Sequence, residues 1–418
     1  MLEIKNLSNG IRLIMDPVKE VESVTLGIWI KTGSLYEEKK YAGVSHFVEH
    51  MMFKGTEERT YSDISREIDR IGGSINAFTG KEATCYHVKL VSSKLFEGAD
   101  VLVDMVENSI FPKEEMNKER YVIEEEIKMT LDSPEDLAHD LSTELIFKGN
   151  PLGNSIIGTP TSLKRITQNV MRDYVKKRYT KDNIIVSIAG KFNEDEVTSY
   201  FENQFEKLEP VSDKISFVES EYRPNIKVVQ KDIEQCNLCM GLPTFGIEDS
   251  RYYPMQVLNN ILGGTMSSRL FRNIREEQGL AYSIFSMVAS YKDLGYFKIY
   301  AGLNRSKVAD AIRGIKHEIS LLADKGIEDD ELEASKEQLK AGFVFSQEST
   351  ASRMLTNGRM AILLDRVMPI EEIVNAYDSI TKSEVEDLIS IISDFAKYSA
   401  VAVTGGERLD LRKMMVSK

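Results

Sequence analysis

The segment His46-Phe-Val-Glu49-His50 sets two imidazoles four residues apart with a carboxylate between them. On a helix of 3.6 residues per turn these imidazoles leave the same face and can grip a single ion. Glu49 follows His46 by three residues and shares that side. It is placed to take a proton from a metal-bound water rather than to ligate. The order His-x-x-Glu-His is the inverted form of a known zinc-peptidase pattern. With only five histidines in 418 residues, the grouping is scarce by composition. The bland alternative is a pair of partly exposed helix histidines with no shared task.

Two imidazoles do not make a tight site. A third ligand is needed, with a fourth position left open for water. The acidic stretch Lys113–Leu131 offers Glu119, Glu124, Glu125 and Glu126. Read as a helix, it places Glu119 and Glu126 on one face and turns Glu124 and Glu125 elsewhere. Residue type and spacing alone do not choose among the four.

The elements that must position these groups follow from periodicity and turn chemistry. Residues 11–16 and 23–30 read as strands parted by Asp16-Pro17, and 43–53 and 61–71 as helices, the second ended by Gly72-Gly73. Residues 74–79 and 83–91 read as a hairpin, 95–109 as an amphipathic helix, and 113–131 as a long helix after Pro112. Strand 184–189 and helix 194–205 follow. The polar, proline-bearing run 207–224 contains the linker.

A gapless shift of 209 residues lays Val48, Gly55 and Thr56 on Val257, Gly264 and Thr265, Arg66-Glu67 on Arg275-Glu276, and Ser74-Ile75 on Ser283-Ile284. The second half therefore reads as a copy of the first. The implied fold is α+β with two duplicated domains, each a mostly antiparallel sheet covered by helices on one face. The boundaries are 1–210 for the catalytic domain, 211–224 for the linker and 225–418 for the copy. Under the same shift His46, Glu49 and His50 fall on Met255, Leu258 and Asn259. The copy has no ligands at these positions.

Composition narrows the function classes. The chain is 42 % hydrophobic and 28 % charged, with 26 Gly and 10 Pro, the profile of a globular protein. A net charge of -13 argues against nucleic acid as a partner. No apolar run approaches the roughly 20 residues that span a bilayer, and Met1–Gly10 has neither a signal nor a transit pattern. The expected location is the cytoplasm, with no membrane partner. Cys85, Cys236 and Cys239 form no disulfide framework. The Cys236-Asn-Leu-Cys239 pair reads as core packing within a strand, since no second such pair completes a four-sulfur site. Cys85 and His87 share a strand face without an acid helper, and His139 and His317 read as surface residues.

Three stretches carry a family resemblance: Gly43-Val-Ser-His46-Phe-Val-Glu49-His50-Met-Met-Phe-Lys-Gly-Thr56, Gly72-Gly-Ser-Ile-Asn76-Ala77-Phe78-Thr79, and Glu119-Arg-Tyr-Val-Ile-Glu-Glu-Glu126. A fourth is Gly263-Gly264-Thr-Met-Ser-Ser-Arg, continuing to Arg275 and Tyr282. Together they resemble the pitrilysin/insulinase family of zinc peptidases, in its short-chain, processing-peptidase-like branch, over essentially the whole chain. The resemblance implies one zinc per chain on His46, His50 and Glu126, with Glu119 supporting a ligand histidine. It assigns Glu49 as general base, Arg275 and Tyr282 as groups that stabilise the oxyanion and anchor the substrate, and Asn76, Ala77 and Phe78 as the edge strand on which an extended peptide adds. It further implies a homodimer, with Arg275 and Tyr282 supplied across the interface. The rival reading is a non-catalytic scaffold or partner subunit, which would lack part of this ligand set.

Overall fold

The computed structural model describes residues 2–212, 221–407 and 409–416. Part of the sequence-derived linker, 213–220, lies outside the described residues. The chain divides into two compact units that are not contiguous in sequence. Of the described residues, 2–128, 154–212 and 344–369 form the first unit, and 129–153, 221–343 and those among 370–416 form the second.

In the first unit, strands β1 (Glu3–Asn6), β2 (Arg12–Pro17), β3 (Ser23–Ile30), β4 (Ser74–Thr79), β5 (Thr84–Val91) and β6 (Ile184–Gly190) pair in the order β1-β2-β6-β3-β5-β4. Only the β2–β6 pairing is parallel. Alternation along β3 sends Val24, Leu26, Ile28 and Ile30 to one face. There they join a buried core with residues of α1 (Val44–Met52), α2 (Tyr61–Arg70), α3 (Leu95–Asn108) and α4 (Lys113–Asp132). Thr60 and Asp63 close a reciprocal capping box at the start of α2. β4 ends the sheet, so among the described residues one of its edges carries no neighbouring strand.

In the second unit, β7 (Ile226–Gln230), β8 (Gln235–Phe245), β9 (Ala281–Ser290), β10 (Leu294–Asn304) and β11 (Ser399–Thr404) pair in the order β7-β11-β8-β10-β9, again with one parallel pairing, β7–β11. Without β1, the first sheet has this same order and sense throughout. The copy inferred from a handful of shared residues is therefore a copy of topology. Its helix Tyr252–Asn259 stands where α1 stands in the first unit, and buries Met255 and Leu258 where the first unit carries His46 and Glu49.

The helices are not confined to one face of each sheet. α5 (Pro134–Ile146), from the first half of the sequence, packs on β8 and β11 of the second unit. Its counterpart Thr350–Leu364, from the second half, packs on β3 and β6 of the first. These two helices have traded sheets. On the first sheet the contact is specific: Thr25 and Thr350 hydroxyls meet at 2.9 Å, and Trp29 Nε1 donates to Met354 Sδ at 3.4 Å. The buried Asp16 carboxylate accepts from Arg353 at 3.1 Å and from Asn357 at 3.1 Å.

Gly358 sits at the closest approach of this helix to β3, where a Cβ would come within 2.1 Å of Trp29 Nε1. Such overpacking against a rigid ring costs about 1–3 kcal/mol. Alanine's better helix propensity returns at most about 1 kcal/mol. Gly358→Ala is therefore expected to lower the urea midpoint of the first unit; an unchanged or raised midpoint would contradict this packing.

Candidate metal centre

α1 carries His46, Glu49 and His50 on one face while Phe47, Val48, Met51 and Met52 are buried in the core. The two imidazoles stand with ring centroids 4.6 Å apart. From α4, Glu126 turns its carboxylate between them: Oε2 lies 3.8 Å from His46 Nε2 and Oε1 lies 3.7 Å from His50 Nε2. Both separations exceed a hydrogen bond. They approach the spacing of about 3.4 Å that ligand atoms adopt when they share a tetrahedral ion at roughly 2.1 Å. Ligand atoms from His46, His50 and Glu126 all fall within 4.8 Å of one another. Among the described residues no other group of three or more His, Cys, Asp or Glu converges in this way.

The protonation states suit a cation. Burial, then the neighbouring His50, pulls the His46 imidazole down to about 4, so it is neutral with a free lone pair at neutral pH. His50 Nδ1 stands 3.0 Å from Glu119 Oε2. A carboxylate oxygen is an acceptor, so this contact suits a proton on Nδ1, the tautomer that leaves the Nε2 lone pair toward Glu126. Glu119 is itself buried, and its other oxygen meets Lys54 Nζ at 2.7 Å. Of the other two candidates, Glu124 and Glu125, the latter pairs with Lys128 at 2.7 Å and neither joins the cluster. The choice among four acids left open by spacing is thus made by convergence on the imidazoles.

Glu49 points toward β4, where the Thr79 hydroxyl donates to its Oε2. Burial raises the Glu49 carboxyl above its ordinary range, against the pull of that hydrogen bond. β4 pairs with β5 through Asn76↔His87, Ala77↔Tyr86 and Phe78↔Cys85. Asn76 and Phe78 are exposed, and Phe78 packs edge-on against Trp29. Arg275 and Tyr282 belong to the second unit. Arg275 is exposed, lies 4.6 Å over the Phe271 ring and pairs with Glu276 at 3.5 Å; Tyr282 is the second residue of β9 and is 62 % exposed.

The remaining candidates resolve plainly. Cys85, Cys236 and Cys239 are buried free thiols, and burial pushes Cys236 up to about 11 and Cys239 up to about 12. They are core residues. His317 is exposed, as expected for a surface histidine. His139 is not a surface residue: it is half-buried, stacked on Tyr300 at 5.0 Å, and its sulfur neighbour is Cys239 at 3.7 Å. Its partner strands lie over 90 residues away in sequence, which local periodicity does not reach.

Residues 14–160 match the family model described as insulinase, peptidase family M16, and residues 165–339 match the one described as peptidase M16 inactive domain. The chain is 37 % identical to an uncharacterized zinc protease of Bacillus subtilis over 93 % of this chain and 95 % of that one. It is 34 % identical to an uncharacterized zinc protease of Rickettsia felis over 96 % and 97 % of the two chains. In fold it is similar to a crystal structure titled peptidase M16 inactive domain from Pseudomonas fluorescens, with TM-score 0.90, 16 % identity and coverage of 98 % and 99 %. It is also similar to the structure of a protease from Helicobacter pylori, with TM-score 0.89, 21 % identity and coverage of 97 % and 99 %.

One residue of the site has no spacing signature at all. Glu37, buried in a loop, accepts from the Gly43 amide at 2.7 Å and the Ser45 amide at 2.8 Å, and so anchors the first turn of α1. Ser45 Oγ continues to Tyr174 at 2.7 Å, and Tyr174 to Thr32 at 3.0 Å. Gly43 takes φ 92°, and a Cβ there would meet Ile157 O at 2.8 Å, so the turn requires glycine. Burial pushes the Glu37 carboxyl up to about 7, against the hydrogen bonds of Ser45 and Gly43 and the charge of Lys81. Between its ordinary value of 4.5 and about 7, the folded chain holds a proton here that the unfolded chain has released. The contribution of this group to stability therefore falls as pH rises through that window, by up to about 1.4 kcal/mol per pH unit. Glu37→Gln does not titrate and is expected to flatten that part of the stability curve in urea titrations across the window; parallel curves for the two proteins would sink the assignment.

Proposed function

The chain belongs to the pitrilysin/insulinase (M16) peptidase family, and from that premise we propose that it is a zinc-dependent endopeptidase cutting short or unfolded polypeptides. The observation that carries this reading is the meeting of His46, His50 and Glu126 within 4.8 Å, with Glu49 on the same helix face as the two histidines. These three residues would hold one zinc per chain. When bound, the ion supplies a Lewis acid that polarises the scissile carbonyl and acidifies a water.

The chain's own residues do the rest. Glu119 keeps the His50 proton on Nδ1, so that Nε2 remains a donor atom. Glu49, with Oε2 engaged by Thr79, has Oε1 to accept the proton of the attacking water and pass it to the leaving amine. The free edge of β4 offers the main-chain groups of Asn76, Ala77 and Phe78 to an extended peptide, so recognition reads backbone more than side chains. Folded substrates, whose backbone groups are already paired, are poor partners for such an edge. In a homodimer Arg275 and Tyr282 of a second copy complete the site, the guanidinium anchoring a carbonyl and the phenol stabilising the oxyanion. Such an arrangement would place the chain in the short-chain, processing-peptidase-like branch that its sequence motifs resemble.

Elemental analysis and cleavage of a quenched fluorescent peptide test the reading together. Wild type and Glu49→Gln should both hold stoichiometric zinc, while turnover falls by about 10²–10⁴-fold in the variant. Near-normal turnover would remove Glu49 as the base. A wild-type chain that folds, holds no metal and cuts nothing would favour the scaffold reading instead.

A further inference from the structure

We infer that Thr79 is the residue that positions the general base, and that through it the substrate-binding strand and the proton-transfer group are one mechanical unit. The inference rests on the peptidase reading above and extends it from the contact of Thr79 with Glu49 to what that contact does for the reaction. Along β4, Ser74, Asn76 and Phe78 are exposed while Ile75, Ala77 and Thr79 alternate to the other face. Ile75 and Ala77 pack on the core of the first unit, and α1 packs on this strand. Thr79 ends the inward row, and its hydroxyl donates to Glu49 Oε2.

The chemistry of the pair is asymmetric. A carboxylate has two oxygens, and a base needs only one for the proton it takes. Holding Oε2 fixes the plane of the carboxylate and leaves Oε1 as the accepting atom. A glutamate side chain has three rotatable bonds, and without this restraint its carboxylate samples orientations that miss the water. The β-branched threonine is a suitable holder, because its χ1 is stiff and its backbone is pinned by pairing with Thr84 of β5. Thr79 also lies directly after Asn76-Ala77-Phe78. A peptide adding to that edge is therefore registered against the same strand that aims the base. Thr79 is a positioning residue: it acts on the reacting atoms only through Glu49.

The test uses the full-length, zinc-loaded chain with Thr79→Val, Thr79→Ser and Glu49→Gln. Thr79→Val keeps shape and removes the donor. It should hold stoichiometric zinc, keep its KM for the quenched peptide and lose about 10- to 100-fold in kcat. Thr79→Ser, which restores the hydroxyl, should recover most of that loss. Thr79→Val added to Glu49→Gln should cost nothing further, since the group it positions is already disabled. A second readout needs no turnover: in the metal-free protein the melting-temperature changes of Thr79→Val and Glu49→Ala should be non-additive, as for residues in contact. Unchanged kcat in Thr79→Val, a loss confined to KM, or additive melting shifts would overturn the inference while leaving an inactive Glu49→Gln to support the peptidase. A wild type that binds zinc but cuts no peptide would defeat the peptidase reading, and the melting cycle would still decide the contact.

Discussion

The buried carboxylate of Glu37 accepts hydrogen bonds from the amides of Gly43 and Ser45, and so fixes the residue at which α1 begins. A helix is stiff, and each residue turns the chain by about 100°. A start displaced by one residue would rotate His46, Glu49 and His50 away from α4 together. The same carboxylate satisfies amides that the first turn cannot pair within the helix. Burying it is costly, and its raised proton affinity registers that cost. The candidate metal centre is thus held by a group outside its own ligand set.

Around the two imidazoles the electrostatics favour a cation. Glu49, Glu119 and Glu126 surround them, and Lys54 balances Glu119. His46 stays uncharged because burial penalises its protonated form. In the second unit the same topology carries Met255 and Leu258 in a buried helix, where packing rather than charge decides the residue type. One architecture therefore hosts a helix that carries the candidate metal ligands His46 and His50 and a helix that is buried in packing.

Much of this was legible from the chain alone. The spacing of His46, Glu49 and His50 is a helical signal, and strand β3 reads correctly because it is a β-rich run parted from the preceding strand by Asp16-Pro17. The family resemblance named Glu126, and geometry separates it from Glu124 and Glu125 for a reason no periodicity contains: only Glu126 faces both Nε2 atoms. Thr79 was within reach, since period two places it on the inward row of β4 with Ile75 and Ala77. Glu37 was not, because a loop residue that caps a helix from outside its own turn leaves no regular spacing. His139 was misread as a surface residue because Tyr300 and Cys239, which enclose it, are distant in sequence. The exchanged helices were hidden for the same reason, as no local pattern says which sheet a helix will cover.

That exchange has a bearing on how such a chain could have arisen. A single half, taken alone, would leave the β3 face that bears Thr25, Gly27 and Trp29 without its cover, because the covering helix comes from the other half. An open, apolar sheet face is a liability in water. Two identical halves could remedy it by each lending its helix to the other, the reciprocal trade that characterises domain-swapped dimers. On this view each half keeps, within one chain, the cover that a separate copy would otherwise have to lend.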